Sequence, residues 1–118
     1  MHELAMTKSI LQKTLDYAER TEATQVETVI LKLGVLRDLK AEWLQRYFAY
    51  ISRGTIAEQA ELLIETVPAS CRCENCGKVF PVDVHEIAVE DIRCPECESK
   101  KYRLHSGNEF MLLGIEVR

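Results

Sequence analysis

Five cysteines hold most of the chemistry this 118-residue chain could perform. Four of them form two pairs, Cys73-Glu-Asn-Cys76 and Cys94-Pro-Glu-Cys97, with seventeen residues between the pairs. Two Cys-x-x-Cys pairs at that separation match the four-cysteine zinc spacing. Two residues between cysteines let the backbone curl into a knuckle that points both sulfurs at one ion. Gly77 can take a positive φ and turn the chain away from the first pair, and Pro95 stiffens the second. Together Cys73, Cys76, Cys94 and Cys97 offer a tetrahedron of thiolates with no coordination position open for a substrate. The expected ion is therefore a structural Zn(2+) that holds a small ribbon together.

Other chemistries use the same residues. Disulfides need an oxidising compartment, which nothing in the chain suggests. Thioredoxin-like exchange needs a single Cys-x-x-Cys at the start of a helix, whereas two pairs lie here in a turn-rich segment. Four thiolates in such knuckles can also hold iron, as in rubredoxin-like proteins; spacing and ligand softness put zinc first. Cys71 makes the run Cys71-Arg-Cys73-Glu-Asn-Cys76 and could swap in as a ligand, but reads as a strand residue with a free thiol. His85, the only imidazole between the pairs, reads as a surface residue because four thiolates already fill the site.

Composition narrows the class. Hydrophobic residues make up 47% and charged residues 29%, which suits one globular domain of ordinary size. Lys and Arg number 15 against 19 Asp and Glu, a net charge of −4, with an isoelectric point near 5.4. That balance weakens a zinc-ribbon nucleic-acid module, because phosphate binding depends on clustered cations. No basic segment followed by an apolar run opens the chain, and no apolar run is long enough to span a membrane, so a cytoplasmic protein is expected.

The elements that would carry the cysteines follow from periodicity. Residues 2–21 read as an amphipathic helix with Leu4, Ile10, Leu11, Leu15, Tyr17 and Ala18 as its apolar stripe. Val26 to Leu33 reads as a strand closed by Gly34, with Val29, Leu31 and Leu33 on one face and Val26, Thr28, Ile30 and Lys32 on the other. Asp38 is placed as the N-cap of a second helix over residues 39–53, with Leu44, Phe48 and Ile51 inward and Trp43, Tyr47 and Tyr50 widening its packing surface. Gly54 suits the position just beyond that helix. Ala60 to Val67 reads as a second strand ended by Pro68. Phe80, Val82 and Val84, then residues 101–104, suggest ribbon strands. After the turn at Ser106-Gly107-Asn108, Met111, Leu113, Ile115 and Val117 alternate along a final strand, too apolar to be left as a free edge. The expected fold is α+β: two helices on a three-stranded sheet, with the four-cysteine zinc ribbon inserted between its second and third strands. The divisions expected are 1–68 plus 108–118 for the body and 69–107 for the ribbon.

Read whole, the chain resembles the HypA/HybF family of hydrogenase nickel-incorporation proteins. The resemblance rests on Met1-His2-Glu3-Leu4, on both cysteine pairs, on Gly34 and Gly54-Thr55, and on Gly107-Asn108-Glu109 before the last strand. It implies a metallochaperone without enzymatic activity, with a nickel-binding body and a structural zinc domain. It further implies Ni(2+) as transported cargo, a HypB-type GTPase and the large subunit of [NiFe] hydrogenase as partners, and urease maturation proteins as partners of some relatives. Met1, His2 and Glu3 are the nickel residues it points to. An imidazole close to the terminal amine and the first backbone amides can offer nitrogen donors in one plane, an arrangement that suits Ni(II) or Cu(II). Without the family, a lone histidine at position 2 is an ordinary unliganded residue. No nucleophile triad, paired carboxylates or phosphate loop is evident, so the chain is not itself the GTPase.

Overall fold

A computed structural model describes residues 3–118, Glu3 by its backbone alone. Along the chain lie α1 (Glu3–Arg20), β1 (Val26–Gly34), a 3-10 turn (Val35–Arg37), α2 (Ala41–Ile51), β2 (Glu61–Val67), β3 (Ser70–Cys73), β4 (Val79–Pro81), a second 3-10 turn (Val89–Asp91), β5 (Tyr102–Ser106) and β6 (Phe110–Val117). The strands form two three-stranded sheets, ordered β2-β1-β6 and β4-β3-β5. The expected α+β class holds, with both helices and the larger sheet in one compact unit. That unit takes the chain up to Lys32, Asp38–Glu65 and Phe110–Arg118; the other takes Leu33–Arg37 and Thr66–Glu109.

In the first unit the apolar residues of five elements converge. Ile10 from α1, Leu44 and Phe48 from α2, Leu31 from β1, Leu62 from β2 and Phe110 from β6 line one narrow void with Thr7. The seam that α1 buries is Thr7, Ile10, Thr14 and Ala18, at helical spacing. Leu4 and Tyr17, expected in that seam, are exposed instead. Two threonines stand where hydrophobic residues are expected, and the Thr14 hydroxyl is buried with no hydrogen-bond partner among the described residues.

The sheet follows the expected pattern with two changes. Val29, Leu31 and Leu33 are buried as expected, but so is Val26, whose N–H donates to the Ile56 carbonyl (2.9 Å). At the same end of β1, the N–H of Thr24 donates to the Arg118 carbonyl and that of Arg118 to the Gln25 carbonyl, both 2.8 Å. The entry to β1 thus meets the exit of β6, which makes the pair antiparallel. The last strand does return to the sheet, but as an edge strand, with Met111, Leu113 and Val117 exposed.

Helix α2 departs from expectation at its start. Asp38 has a φ of 55°, in the left-handed region, and Lys40 occupies the N-cap with no side-chain cap bond. The carboxylate of Asp38 therefore caps nothing, and the helix begins at Ala41. Leu44 and Phe48 are buried as expected, whereas Trp43 and Tyr50 are exposed.

The second unit is a ribbon with little apolar mass. Its small sheet pairs Cys71 with Phe80 across β3 and β4, and Cys73 with Tyr102 across β3 and β5. Its core consists of Cys71, Cys73, Phe80, Ile92 and Cys94, with Val82 and Tyr102 packed against it. Phe80 and Tyr102 meet edge to face at 6.4 Å. The segment 33–37 belongs to this unit because Gly107-Asn108-Glu109 grips it. The N–H of Gly34 donates to the Glu109 carbonyl (2.7 Å), that of Leu36 to the Gly107 carbonyl (2.8 Å), and Arg37 Nε to the Asn108 carbonyl (2.8 Å). The Glu109 carboxylate accepts from the Gly107 N–H (2.7 Å). A Cβ on Gly34 would run into the Gly107 carbonyl, while Gly107 needs glycine because it sits at φ +115° and a Cβ there would press on Ala69.

Candidate metal centre

The two knuckles are copies of one backbone device. In the first, the Cys73 N–H donates to the Lys78 carbonyl (2.8 Å) and the Gly77 N–H returns to the Cys73 carbonyl (3.0 Å). In the second, Cys94 bonds to the Ser99 carbonyl (3.0 Å) and Glu98 to the Cys94 carbonyl (2.9 Å). The residue four after each first cysteine turns left-handed: Gly77 at φ +80°, Glu98 at φ +60°. Glycine takes that turn freely, and a glutamate takes it at some cost.

These turns bring the sulfurs of Cys73, Cys76, Cys94 and Cys97 within 4.8 Å of one another. Cys73 lies 3.5 Å from Cys97, and Cys76 lies 3.5 Å from Cys94, each contact crossing between knuckles. Four Zn–S bonds of about 2.3 Å to tetrahedral corners separate the sulfurs by about 3.8 Å, so the residues present fit a tetrahedral thiolate ion. The N–H groups of Asn75 (3.3 Å) and Cys76 (3.4 Å) donate to the Cys73 sulfur, holding it in place and easing its negative charge. Lys78 reaches Glu96 of the other knuckle at 3.3 Å, and Arg103 reaches Glu74 at 3.2 Å; both pairs are on the surface.

Without an ion, the crowded thiols share protons unevenly. Cys97 is lowered to about 6 by hydrogen bonds from the Asn75 side chain and the Ser99 backbone, with the thiols of Cys73 and Cys76 acting in the same direction. Cys76 is pushed up to about 12: the backbone bond at Lys78 lowers it, but hydrogen bonding to Cys94 and then to the other thiols outweighs that. A second negative sulfur is disfavoured beside a first, and a divalent cation removes that conflict. Cys71 stays outside the cluster. It is a buried β3 residue with a free thiol, its pKa raised by burial, and it fills the ribbon core opposite Phe80. His85 is exposed, as expected. Met1 and His2 lie outside the described residues, and Glu3 opens α1.

With this geometry in view, the relatives are informative. A family model described as hydrogenase/urease nickel incorporation, metallochaperone, hypA matches residues 1–117. The chain belongs to the HypA family. The hydrogenase maturation factor HypA of Synechococcus elongatus is 35% identical over 117 residues, covering 99% of each chain. That of Acidithiobacillus ferrooxidans is 36% identical over 118 residues, also 99% of each. That of Pyrococcus abyssi is 31% identical, covering 99% of this chain and 96% of its own. Among solved structures, one titled as the Ni metallochaperone HypA from Helicobacter pylori superposes with a TM-score of 0.68 at 24% identity, covering 99% of this chain and 97% of that one. A second HypA solution structure reaches 0.78 at 24% identity, covering 100% and 97%. These two show the same fold.

HypA proteins are nickel metallochaperones of hydrogenase maturation, not enzymes, and this places the chain in that class. The family decides against a nucleic-acid module or a rubredoxin-like electron carrier as the role of the whole chain. No helix among the described residues is long and apolar enough to cross a membrane.

Proposed function

We propose that this chain binds Ni(II) at its N-terminus through Met1, His2 and Glu3 and passes it on for insertion into [NiFe] hydrogenase. The observation that carries this reading is the family match from residue 1 to residue 117, which includes Met1-His2-Glu3. The His2 imidazole, the Met1 amine and the neighbouring backbone amides are the donors, and Glu3 contributes its amide at the head of α1. A HypB-type GTPase and the hydrogenase large subunit are the partners, and urease maturation proteins are further candidates. In this reading residues 1–68 with 108–118 form the nickel-binding part and residues 69–107 the zinc ribbon. The ribbon's ion is structural Zn(2+), held by Cys73, Cys76, Cys94 and Cys97, and the protein works in the cytoplasm.

Imidazole must be neutral to bind, and it titrates near about 6.5, so nickel binding weakens as pH falls through that value. Displaced amine and amide protons steepen the dependence. The test compares the unaltered protein, His2→Ala and a Gly-Ser extension ahead of Met1, by calorimetry and by the absorption band of planar Ni(II). Both changes are expected to abolish the site. Full affinity in the extended protein would remove the amine as a ligand, and full affinity in His2→Ala would remove the site from this end of the chain.

A further inference from the structure

Helix α2 has one flank that the core does not use. Trp43, Arg46, Tyr47 and Tyr50 recur there at i, i+3, i+4 and i+7, and Arg53 follows just past the helix end. Trp43 is 43% exposed and Tyr50 63%, while Leu44 and Phe48 fill the core from the same helix. The Arg46 guanidinium lies over the Trp43 ring, 5.0 Å from its centroid, and that of Arg53 over the Tyr50 ring at 5.1 Å. The rings of Trp43 and Tyr47 are 6.2 Å apart. The result is two neighbouring stacks of aromatic and guanidinium planes on one flank of α2, Arg46 with Trp43 and Tyr47, and Arg53 with Tyr50.

Three observations say what it fits. Trp, Tyr and Arg are the residues that dominate binding energy at protein interfaces. Stacking already restrains both arginines, so less side-chain freedom remains to be lost on binding. A guanidinium stacked on a ring still presents its N–H edge, and among the described residues neither Arg46 nor Arg53 is paired with a carboxylate. Glu42 stands four residues before Arg46, at pairing distance in sequence, yet Arg46 stacks on Trp43 instead. Lys40, Arg46 and Arg53 against Glu42 make this stretch basic in a chain whose net charge is −4.

We infer that this flank of α2 is a docking face for a protein partner that presents an apolar patch rimmed by carboxylates. Nucleic acid also stacks on aromatics and arginine, but three cations fall short of the roughly 6–10 phosphate contacts typical of such binding, and the rest of the chain is acidic. The face rests on α2 alone. Only the choice of the GTPase as a probe rests on the reading in the preceding subsection.

Trp43 is the chain's single tryptophan, so 5-fluorotryptophan labels this face and nothing else. The fluorine line is followed while three probes are titrated into the full chain. These are a HypB-type GTPase, an amphipathic helical peptide with a leucine stripe flanked by glutamates, and duplex DNA. The GTPase and the peptide are expected to shift the line, and DNA is not. The double variant Arg46→Glu/Arg53→Glu should weaken both interactions by about tenfold or more, as loss of charge pairs at an interface does. Lys8→Glu/Lys13→Glu on α1 should change them little; circular dichroism confirms that both variants keep their helices. A response to the peptide without one to the GTPase keeps the face and removes the GTPase as its occupant. An unmoved line with both probes, binding indifferent to the charge reversal, or a stronger response to DNA would each overturn the face.

Discussion

The two units of this chain solve the same problem with different materials. The helix–sheet unit buries Ile10, Ala18, Val26, Val29, Leu31, Leu44, Phe48, Ala57, Ala60 and Leu62. The ribbon unit buries Leu33, Phe80 and Ile92, with Ala69 and three cysteines. At about 25 cal/mol per Å² of apolar surface, the first set offsets much of the entropy of ordering its elements, while three large side chains cannot do that for a segment of this length. An ion held by the four thiolates would supply what the ribbon lacks, since structural zinc sites are worth about 10–16 kcal/mol at neutral pH. The contrast teaches that one chain can hold a unit that depends on apolar packing beside one that depends on coordination. Each has its own way to fail.

The largest effect should come from breaking the coordination. Cys94→Ser is expected to lose the metal and the ordered ribbon, while the far-ultraviolet helical signal of α1 and α2 survives. Metal analysis and circular dichroism check both halves of that statement. Phe48→Ala is the converse. It should cost the helix–sheet unit about 3–5 kcal/mol in denaturant unfolding and leave the metal content unchanged. If Phe48→Ala released the metal, the contrast between the units would be wrong.

Smaller changes sharpen the comparison. Thr14→Val should stabilise the helix–sheet unit by about 1 kcal/mol or more, because it removes a buried hydroxyl without a partner from the α1 seam. Glu98→Gly should stabilise the ribbon by about 1 kcal/mol by letting the second knuckle turn as the first does at Gly77. Loss of stability in Glu98→Gly would mean that the left-handed turn carries no strain.

Thiol titration bears on whether the ribbon stays folded without its ion. In a folded cluster Cys97 is lowered to about 6, so its alkylation by iodoacetamide would persist down to about that pH and fade below it. Cys76, pushed up to about 12, would stay protonated and slow at neutral pH. The account predicts instead that metal removal unfolds the knuckles and returns Cys76 and Cys97 to the ordinary thiol range near about 8.5. Selective labelling of Cys97 at pH 6 in the metal-free protein would show that the knuckles stay folded without the ion.

What could be read in advance divides along the same line. The cysteine cluster was legible because coordination demands fixed residue types at a fixed spacing, and the sulfurs of Cys73, Cys76, Cys94 and Cys97 converge as that spacing requires. Helices and strands were legible from period, with α2 and β2 shifted by a residue or two at their ends. Burial was legible only in part. Thr7 and Thr14 are buried in α1 because they are small enough for its seam, a matter of shape that hydropathy does not register. The residue types of Trp43 and Tyr50 suggest packing, yet their places on α2 leave them exposed. Asp38 has the chemistry of an N-cap, but its left-handed backbone moves the start of the helix two residues on. Strand β3 is four residues long and carries two cysteines, too short for alternation to reveal. Gly34 and Gly107 are visible as motif residues; their reasons, a backbone in close approach at Gly34 and a positive φ against Ala69 at Gly107, are visible only in three dimensions.

The central claim is that coordination folds the ribbon and apolar packing folds the helix–sheet unit. Hydrogen exchange read residue by residue, with the metal in place and after a strong chelator, tests it most directly. The account predicts that chelation strips protection from β3, β4, β5 and both knuckles, while the amides of α1, α2 and β1 exchange as slowly as before. Retained protection across Ser70–Cys73 and Tyr102–Ser106 after complete removal of the metal would contradict it.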